Sequence, residues 1–236
     1  MTEPVRGISA ALAALALIAC GGDPATPDGG AADADPGCPA PASARLLPLA
    51  IGASWTFAVT PSGGAPETKV TTVEALEDVG ATKAGVIAFR IRTEKLDGIT
   101  VSWQEDTCTS IVRHREQAFD LGGLLESDQV YVPSKLRVDE SPAHTAQDAT
   151  WIDAYTEVEE DPITGDVTTT SKSERWTVED TAAEVTVPAG TFTALLLRRM
   201  GEEVGQADKR YWFVAGVGKV KEEGDQLEEL TEYTLP

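Results

Sequence analysis

Cysteine and histidine are the residue types here that most readily act as nucleophiles or metal ligands, and the chain has three cysteines and two histidines. His114 and His144 lie outside any HExxH motif or cluster with ligand spacing, so they do not indicate a metal site. The chain also lacks the Gly-x-Ser-x-Gly sequence of a hydrolase nucleophile. We therefore expect no catalytic residue, no cofactor and no metal, and the protein is predicted not to be an enzyme.

Five acidic residues gather around one expected hairpin turn and form a second candidate for chemistry. Carboxylates are ligands that Ca²⁺ prefers, so this group could hold the ion. A solvated acidic edge, which discourages edge-to-edge pairing of sheets, is the favoured interpretation. The residues are Glu157, Glu159, Glu160, Asp161 and Asp166.

A short segment of apolar and small residues spans 7–19, and Cys20 and Gly21 follow it directly. A membrane-spanning helix needs about 20 apolar residues, so this segment is too short and is typical of a signal peptide. The sequence Leu17-Ile18-Ala19-Cys20 resembles the lipobox of bacterial lipoproteins. The resemblance implies a signal peptide over residues 1–19, cleavage before Cys20 and lipidation of that cysteine. An ordinary secretory signal is the alternative.

Lipidation at Cys20 implies that an N-terminal lipid anchor holds the protein on a membrane. Gly21 stands where an aspartate often marks inner-membrane retention. We therefore expect an outer-membrane lipoprotein of the cell envelope, with its folded domain in the periplasm or at the cell surface.

The net charge excludes one class of partner. With 19 basic and 39 acidic residues, the chain carries a formal charge of −20, and removal of the signal peptide does not change it. Such a charge repels nucleic acid and anionic headgroups, so we expect no nucleic-acid partner.

Cys38 and Cys108 remain after cleavage, in a compartment that is oxidising. An even number of cysteines permits one disulfide bond. Closing a loop of about 70 residues would stabilise the fold by about 4 kcal/mol in the chain-entropy model. A Cys38–Cys108 bond is the favoured prediction, and two unpaired thiols are the alternative.

The chain divides into a tether and one domain. Of the 24 residues 21–44, 21 are Ala, Gly, Pro or Asp, and none is aromatic or a branched aliphatic. Such a segment cannot bury enough surface to offset the entropy of ordering. We therefore expect a lipidated cysteine and disordered linker over residues 20–44 and a single antiparallel β domain over residues 45–236.

Alternating apolar and polar residues predict strands through most of this domain, as in Ile87–Arg92. The short, glycine-bearing connections favour antiparallel meanders over βαβ units. Only Glu116–Ser127 is expected to hold a helical turn. The predicted strands lie near 54–60, 68–77, 87–92, 99–106, 110–114, 128–132, 151–159, 167–178, 184–187, 193–200, 209–214, 217–223 and 227–234.

A weak internal duplication relates the two halves of the domain, and chance similarity among strands is the alternative. The matched segments keep their order with offsets of about 96 to 109 residues. The pairs are Trp55 with Trp151, Thr72–Glu74 with Thr177–Glu179, Ala84-Gly85 with Ala189-Gly190, Phe89–Arg92 with Leu195–Arg199, and Val101–Trp103 with Arg210–Trp212.

Two predicted strands, Leu195–Leu197 and Tyr211–Val214, are apolar on both faces. A strand covered on both sides lies in a sandwich, a barrel wall or a curved sheet around a cavity. The predicted fold class is all-β: an antiparallel meander forming a strongly curved sheet or open barrel, built from two duplicated halves in one interpretation.

Two turn motifs stand out in the domain. Pro188 lacks an N–H and ends strand pairing, and Gly190 can take a positive φ, so both fit a tight turn. Gly216 and Gly218 indicate a sharp hairpin or bulge after the aromatic strand.

These motifs resemble a group of bacterial exported lipoproteins that have no assigned activity. The shared features are a Leu-Pro-Leu-x-x-Gly-x-x-Trp-x-Phe start at Leu47–Phe57, the turn at Pro188–Phe192 and the hairpin at Trp212–Gly218. The resemblance implies an antiparallel β domain and transfers no catalytic residue.

Two classes of function remain open. A structural module that binds an envelope protein partner is favoured, because a filled β core is commoner than a ligand cavity. The alternative is a carrier that binds an apolar, lipid-like ligand inside a curved sheet, which rests on fold-level analogy.

Overall fold

The computed structural model describes residue 38, residues 42–202 and residues 208–236. All of them belong to the second of two units of the chain, Ala34–Pro236. The predicted signal peptide, Cys20 and most of the predicted linker lie outside the described residues. Within the described ranges, no helix is long and apolar enough to cross a membrane.

The described residues form a closed antiparallel barrel in which each strand pairs with its neighbours in chain order and β1 pairs with β12. The all-β, antiparallel prediction is thus confirmed. The curved sheet closes on itself, which removes the exposed edges that an open sheet would carry. The strands are β1 (Ser54–Pro61), β2 (Glu67–Asp78), β3 (Ile87–Lys95), β4 (Gly98–Asp106), β5 (Ser110–Phe119), β6 (Leu125–Asp139), β7 (Thr150–Glu160), β8 (Val167–Val187), β9 (Gly190–Gly201), β10 (Asp208–Val214), β11 (Gly218–Glu223) and β12 (Gln226–Thr234).

The helical turn expected within Glu116–Ser127 is wrong. Strand β5 continues to Phe119, and β6 begins at Leu125 after a short turn. The Asp120 carboxylate accepts the N–H of Leu124 at 2.8 Å. In a helix that N–H would donate to the backbone carbonyl four residues earlier, so the side-chain hydrogen bond favours a turn instead. Two short 3₁₀ segments, Ala42–Ala44 and Ala81–Lys83, are the helical elements in the described ranges.

Strands β6 and β8 extend furthest beyond the bounds that the sequence pattern predicts. β6 runs past Pro133, which lies between the residues that pair with β7 and those that pair with the start of β5. A proline is tolerated there because its missing N–H removes no bond from either ladder. β8 joins the predicted strands 167–178 and 184–187 across an irregularity between Val178 and Ala183.

The segments matched by the internal duplication fall on strands that are six apart. Trp55 lies in β1 and Trp151 in β7, and the other pairs fall on β2 and β8, the following turns, β3 and β9, and β4 and β10. This placement supports a barrel built from two six-stranded halves.

Residues 42–50, here called the plug segment, cross the end of the barrel where β1 begins. Buried Arg45 donates to Asp106 at 2.5 Å and to the carbonyl of Cys108 at 2.6 Å, and lies 3.1 Å from Glu140. The N–H of Gly216 donates to the Arg45 carbonyl at 2.8 Å. These contacts tie the plug segment to three turns at the same end of the barrel, which the segment therefore closes.

Candidate functional site

The barrel encloses a partly open cavity of about 360 Å³. Its volume lies within the range of small-molecule pockets, roughly 300–1,000 Å³. The plug segment covers one end of it. At the other end its lining reaches Lys95, Thr100 and Gln226, which adjoin the β3–β4 and β11–β12 turns, so we assign the mouth to this end.

One part of the cavity wall is apolar and aromatic. Its residues come from the plug segment and from strands on both sides of the barrel, and they belong to the two larger apolar clusters of the domain. They are Leu47, Leu49, Trp55, Phe57, Ile91, Trp176, Tyr211 and Phe213.

The cavity also explains why strand β10 is apolar on both faces. Tyr211 and Phe213 line the cavity, whereas Trp212 is buried in a cluster with Val220 and Val185. The tip of the β8–β9 hairpin contributes to that cluster, since the N–H of Ala189 donates to the carbonyl of Leu230 in β12 at 2.9 Å. Strand β10 therefore has one face that lines the cavity and one face that packs against other apolar side chains.

A second part of the wall is a network of paired charges, here called the paired network: Lys69, Lys209, Lys219, Glu222 and Glu228. Lys219 donates to Glu228 at 2.7 Å and also contacts Glu222. Lys69 contacts Glu228, and Lys209 lies 3.1 Å from Glu222. Glu228 is 2% exposed and Glu222 is 7% exposed, so each carboxylate has two ammonium partners and little water.

The paired network shifts the protonation of its members. Burial acts to raise the pKa of Glu228, but Lys219 and Lys69 overcome it and hold that pKa at about 2. Burial also acts to lower the pKa of Lys219, yet Glu222 and Glu228 hold it above its usual value. Burial and the nearby Lys219 lower the pKa of Lys69 to about 7.

A third part of the wall carries two arginines, Arg113 and Arg137, and their environments differ. Arg113 forms an ion pair with Glu116. Arg137 has no ion pair or hydrogen bond within the described ranges, and its Nε is buried without an acceptor. Burial, followed by the nearby Arg113, lowers the pKa of Arg137. A guanidinium still stays protonated in a protein, so Arg137 is a half-buried cation that no carboxylate pairs directly within the described ranges, although Glu116 and Glu222 lie near enough to favour its charge.

Beside these arginines, the barrel interior is filled by side chains that do not line the cavity. Tyr131 and Tyr155 pack edge to face, with ring centroids 5.7 Å apart, and the Lys135 ammonium lies over both rings. Burial lowers the pKa of Lys135 to about 8. Arg199 lies 3.5 Å from Glu174.

Cations outnumber anions on the cavity wall. The lining contains six basic side chains, Lys69, Lys95, Arg113, Arg137, Lys209 and Lys219, and three acidic ones, Glu116, Glu222 and Glu228. This excess stands against the charge of −20 of the whole chain. The cavity wall is therefore cationic inside an acidic protein.

The residues singled out from the sequence lie away from the cavity or at its closed end. The Cys38 and Cys108 sulfurs are 2.02 Å apart, which fastens residue 38 to the β4–β5 turn beside the plug segment. Pro188 lies in the β8–β9 turn, and Gly190 begins β9 with a φ of 142°.

Gly216 and Gly218 flank the turn between β10 and β11 and have positive φ values. A Cβ at Gly216 would lie 2.8 Å from the Ser43 carbonyl oxygen, and one at Gly218 would lie 2.9 Å from Trp55 Nε1. Both glycines therefore let the turn approach the plug segment and β1 closely.

The histidines and the acidic cluster lie elsewhere. His114 Nε2 is 2.7 Å from Glu105, and the His144 ring stacks on Trp151 with centroids 4.2 Å apart. Asp161 accepts the N–H groups of Ile163 and Thr164, and these bonds lower its pKa. Among the residues that the structure describes, no group of three or more His, Cys, Asp or Glu side chains is arranged to hold a metal ion.

The sequence interpretation missed the charged residues of the cavity wall. Lys69, Lys219 and Glu228 each lie next to an apolar residue in a strand. This pattern ordinarily indicates the solvated face of a sheet, and it has another meaning only when a barrel closes around the charged side chains.

Comparisons with known proteins give little further information. No family model matches the chain, and no curated protein does. Among solved structures, the chain is similar to one described as a "putative lipoprotein" from Parabacteroides distasonis ATCC 8503, at 11% sequence identity and a TM-score of 0.38. The match covers 80% of this chain and 98% of that one. A TM-score this low does not establish that the two proteins share a fold.

Proposed function

We propose that this protein is an envelope lipoprotein whose barrel binds a small amphipathic molecule in its cavity, without catalysing a reaction on it. The observation that carries the proposal is the cavity of about 360 Å³, whose wall combines aromatic side chains with an excess of cations. Binding sites for small molecules are concave and mostly apolar, with a few polar groups that fix orientation.

The wall favours an amphipathic ligand over the purely apolar one considered from the sequence. An apolar molecule would displace water from Arg137, which has no ion pair within the described ranges, and would offer it no partner, which is costly. The aromatic wall, including Trp55, Phe57 and Phe213, favours contact with an apolar or aromatic body.

The turns at the mouth end support entry of such a molecule. Five of the eleven large apolar side chains that are exposed in the described ranges lie in or beside these turns: Leu96, Leu121, Leu124, Ile163 and Val167. Exposed apolar side chains grouped at one end of a domain are typical of a site of interaction or ligand entry.

A cavity-filling substitution tests the binding role. We expect 1-anilinonaphthalene-8-sulfonate, an aromatic anion, to bind the wild-type protein with saturable fluorescence. Thr71→Phe places a ring in the cavity and should weaken binding at least tenfold, because Thr71 lines the wall. Thr72→Phe, on the opposite face of β2, is the matched control and should bind as wild type does. Equal binding by both variants would place the probe outside the barrel and overturn the proposal.

The lipoprotein part of the proposal rests on the sequence of residues 17–20. Cys20→Ala should move the protein from the membrane fraction to the soluble fraction, since the lipid anchor is lost. Unchanged association with the membrane fraction would contradict lipidation at Cys20.

A further inference from the structure

We propose that Arg137, with Arg113 close by, forms a carboxylate-binding subsite at the closed end of the cavity. The inference rests on the proposed function, because it names the chemical class of the molecule that the cavity binds. It makes that ligand an organic monocarboxylate whose apolar body points toward the mouth.

The backbone gives Arg137 its place in the wall. Val138 pairs with Ile111 and Leu136 pairs with Val112, so Arg137 has no opposite residue in β5 and lies at an irregularity of the ladder. A β-bulge re-aims side chains and is over-represented beside functional sites. It allows Arg137 to line the cavity although its neighbour Val138 is part of the apolar cluster that includes Trp176.

The position along the barrel axis is at the closed end. Arg137 lies two residues before the end of β6, and Glu140, just beyond, accepts the N–H groups of Leu46 and Leu47 in the plug segment. A ligand group that reaches Arg137 therefore lies beneath the plug segment, with Trp176 and Tyr211 on the same wall.

The ion pairs favour a single negative charge at the closed end. The Arg113 guanidinium already has Glu116, and the three lysines of the paired network share Glu222 and Glu228. Arg137 is the one basic group at the closed end of the wall without an ion pair in the described ranges. Its planar fork of N–H donors matches a carboxylate, which can accept two parallel hydrogen bonds.

Calorimetric titration with two probes of the same shape tests the subsite. In wild-type protein, 2-naphthoate should bind at least tenfold more tightly than its neutral analogue 2-naphthamide. Arg137→Gln should abolish that preference while leaving the affinity for 2-naphthamide unchanged. Arg137→Lys, which keeps the charge but loses the planar fork, should retain part of the preference.

Arg92→Gln is the control, because Arg92 pairs with Glu94 on the other face of β3 and should behave as wild type. Equal binding of both probes by wild-type protein would overturn the carboxylate subsite and leave the proposed function standing. A full preference retained by Arg137→Gln would overturn the role of Arg137. Binding of neither probe by wild-type protein would overturn both the subsite and the proposed function.

Discussion

The paired network and the arginine side of the cavity use the same residue types for opposite purposes. In the paired network each carboxylate of Glu222 and Glu228 has two ammonium partners. On the arginine side, Arg137 is half-buried, and its buried Nε has no acceptor and its guanidinium no ion pair within the described ranges. A buried charge that is fully paired can be part of a stable fold, whereas one without a partner costs free energy that a ligand can recover. We therefore assign the paired network to the stability of the barrel and Arg137 to the recognition of a ligand.

The largest expected effect comes from removing one member of the paired network. Glu228→Gln leaves Lys69 and Lys219 facing each other, and breaking a buried pair costs about 3–5 kcal/mol. We expect a loss near the lower limit of that range, because Lys69 can lose its proton close to neutral pH. Urea unfolding followed by circular dichroism measures the loss.

Two variants calibrate that measurement. Glu229→Gln changes the next residue, which is half-buried on the other face of β12, and should shift the free energy of unfolding by at most about 0.5 kcal/mol. Arg137→Met removes an uncompensated charge and should leave the protein as stable as wild type or more stable. A loss in Arg137→Met as large as that in Glu228→Gln would make Arg137 a structural residue and remove the distinction between the two sides.

The Cys38–Cys108 bond gives the next effect and concerns the closed end of the cavity. Replacing both cysteines with serine should lower the free energy of unfolding by about 2–4 kcal/mol. The preference for 2-naphthoate should survive, because Arg45 still binds Asp106 and Glu140 and holds the plug segment. Peptide mass spectrometry without reduction checks the bond, and two freely alkylated thiols in the exported protein would exclude it.

Acid titration gives the smallest of these effects. Glu228 has a folded-state pKa of about 2, below its ordinary value near 4.5, so its ionised form stabilises the fold. That stabilisation is complete above about pH 4.5 and is lost as the pH falls toward 2. Glu228→Gln should therefore show a shallower decline of stability over this window than wild type. Parallel curves for the two proteins would show that Glu228 is not the titrating group.

The sequence predicts the strands of this barrel better than it predicts the site. Alternation of side chains is a local property, so it locates Trp55 and Phe57 in β1 and the turn before Gly190 without knowledge of the closure. Lys219 meets Glu228 only when β11 pairs with β12. Its role also requires that the barrel wall exclude water from this ion pair. Arg137 depends on a ladder irregularity with β5, and no local pattern marks which residue will be left without a partner.

Native mass spectrometry of the exported, full-length Cys20→Ala protein tests the central claim most directly, because it detects a ligand that the cell itself supplies. We predict a small-molecule adduct on this protein, released as a singly charged organic acid. Adding Arg137→Gln should remove the adduct, and adding Arg92→Gln should preserve it. An adduct that is equally abundant with and without Arg137, or one that is released as a neutral molecule, would contradict the assignment of Arg137 as the group that recognises the ligand.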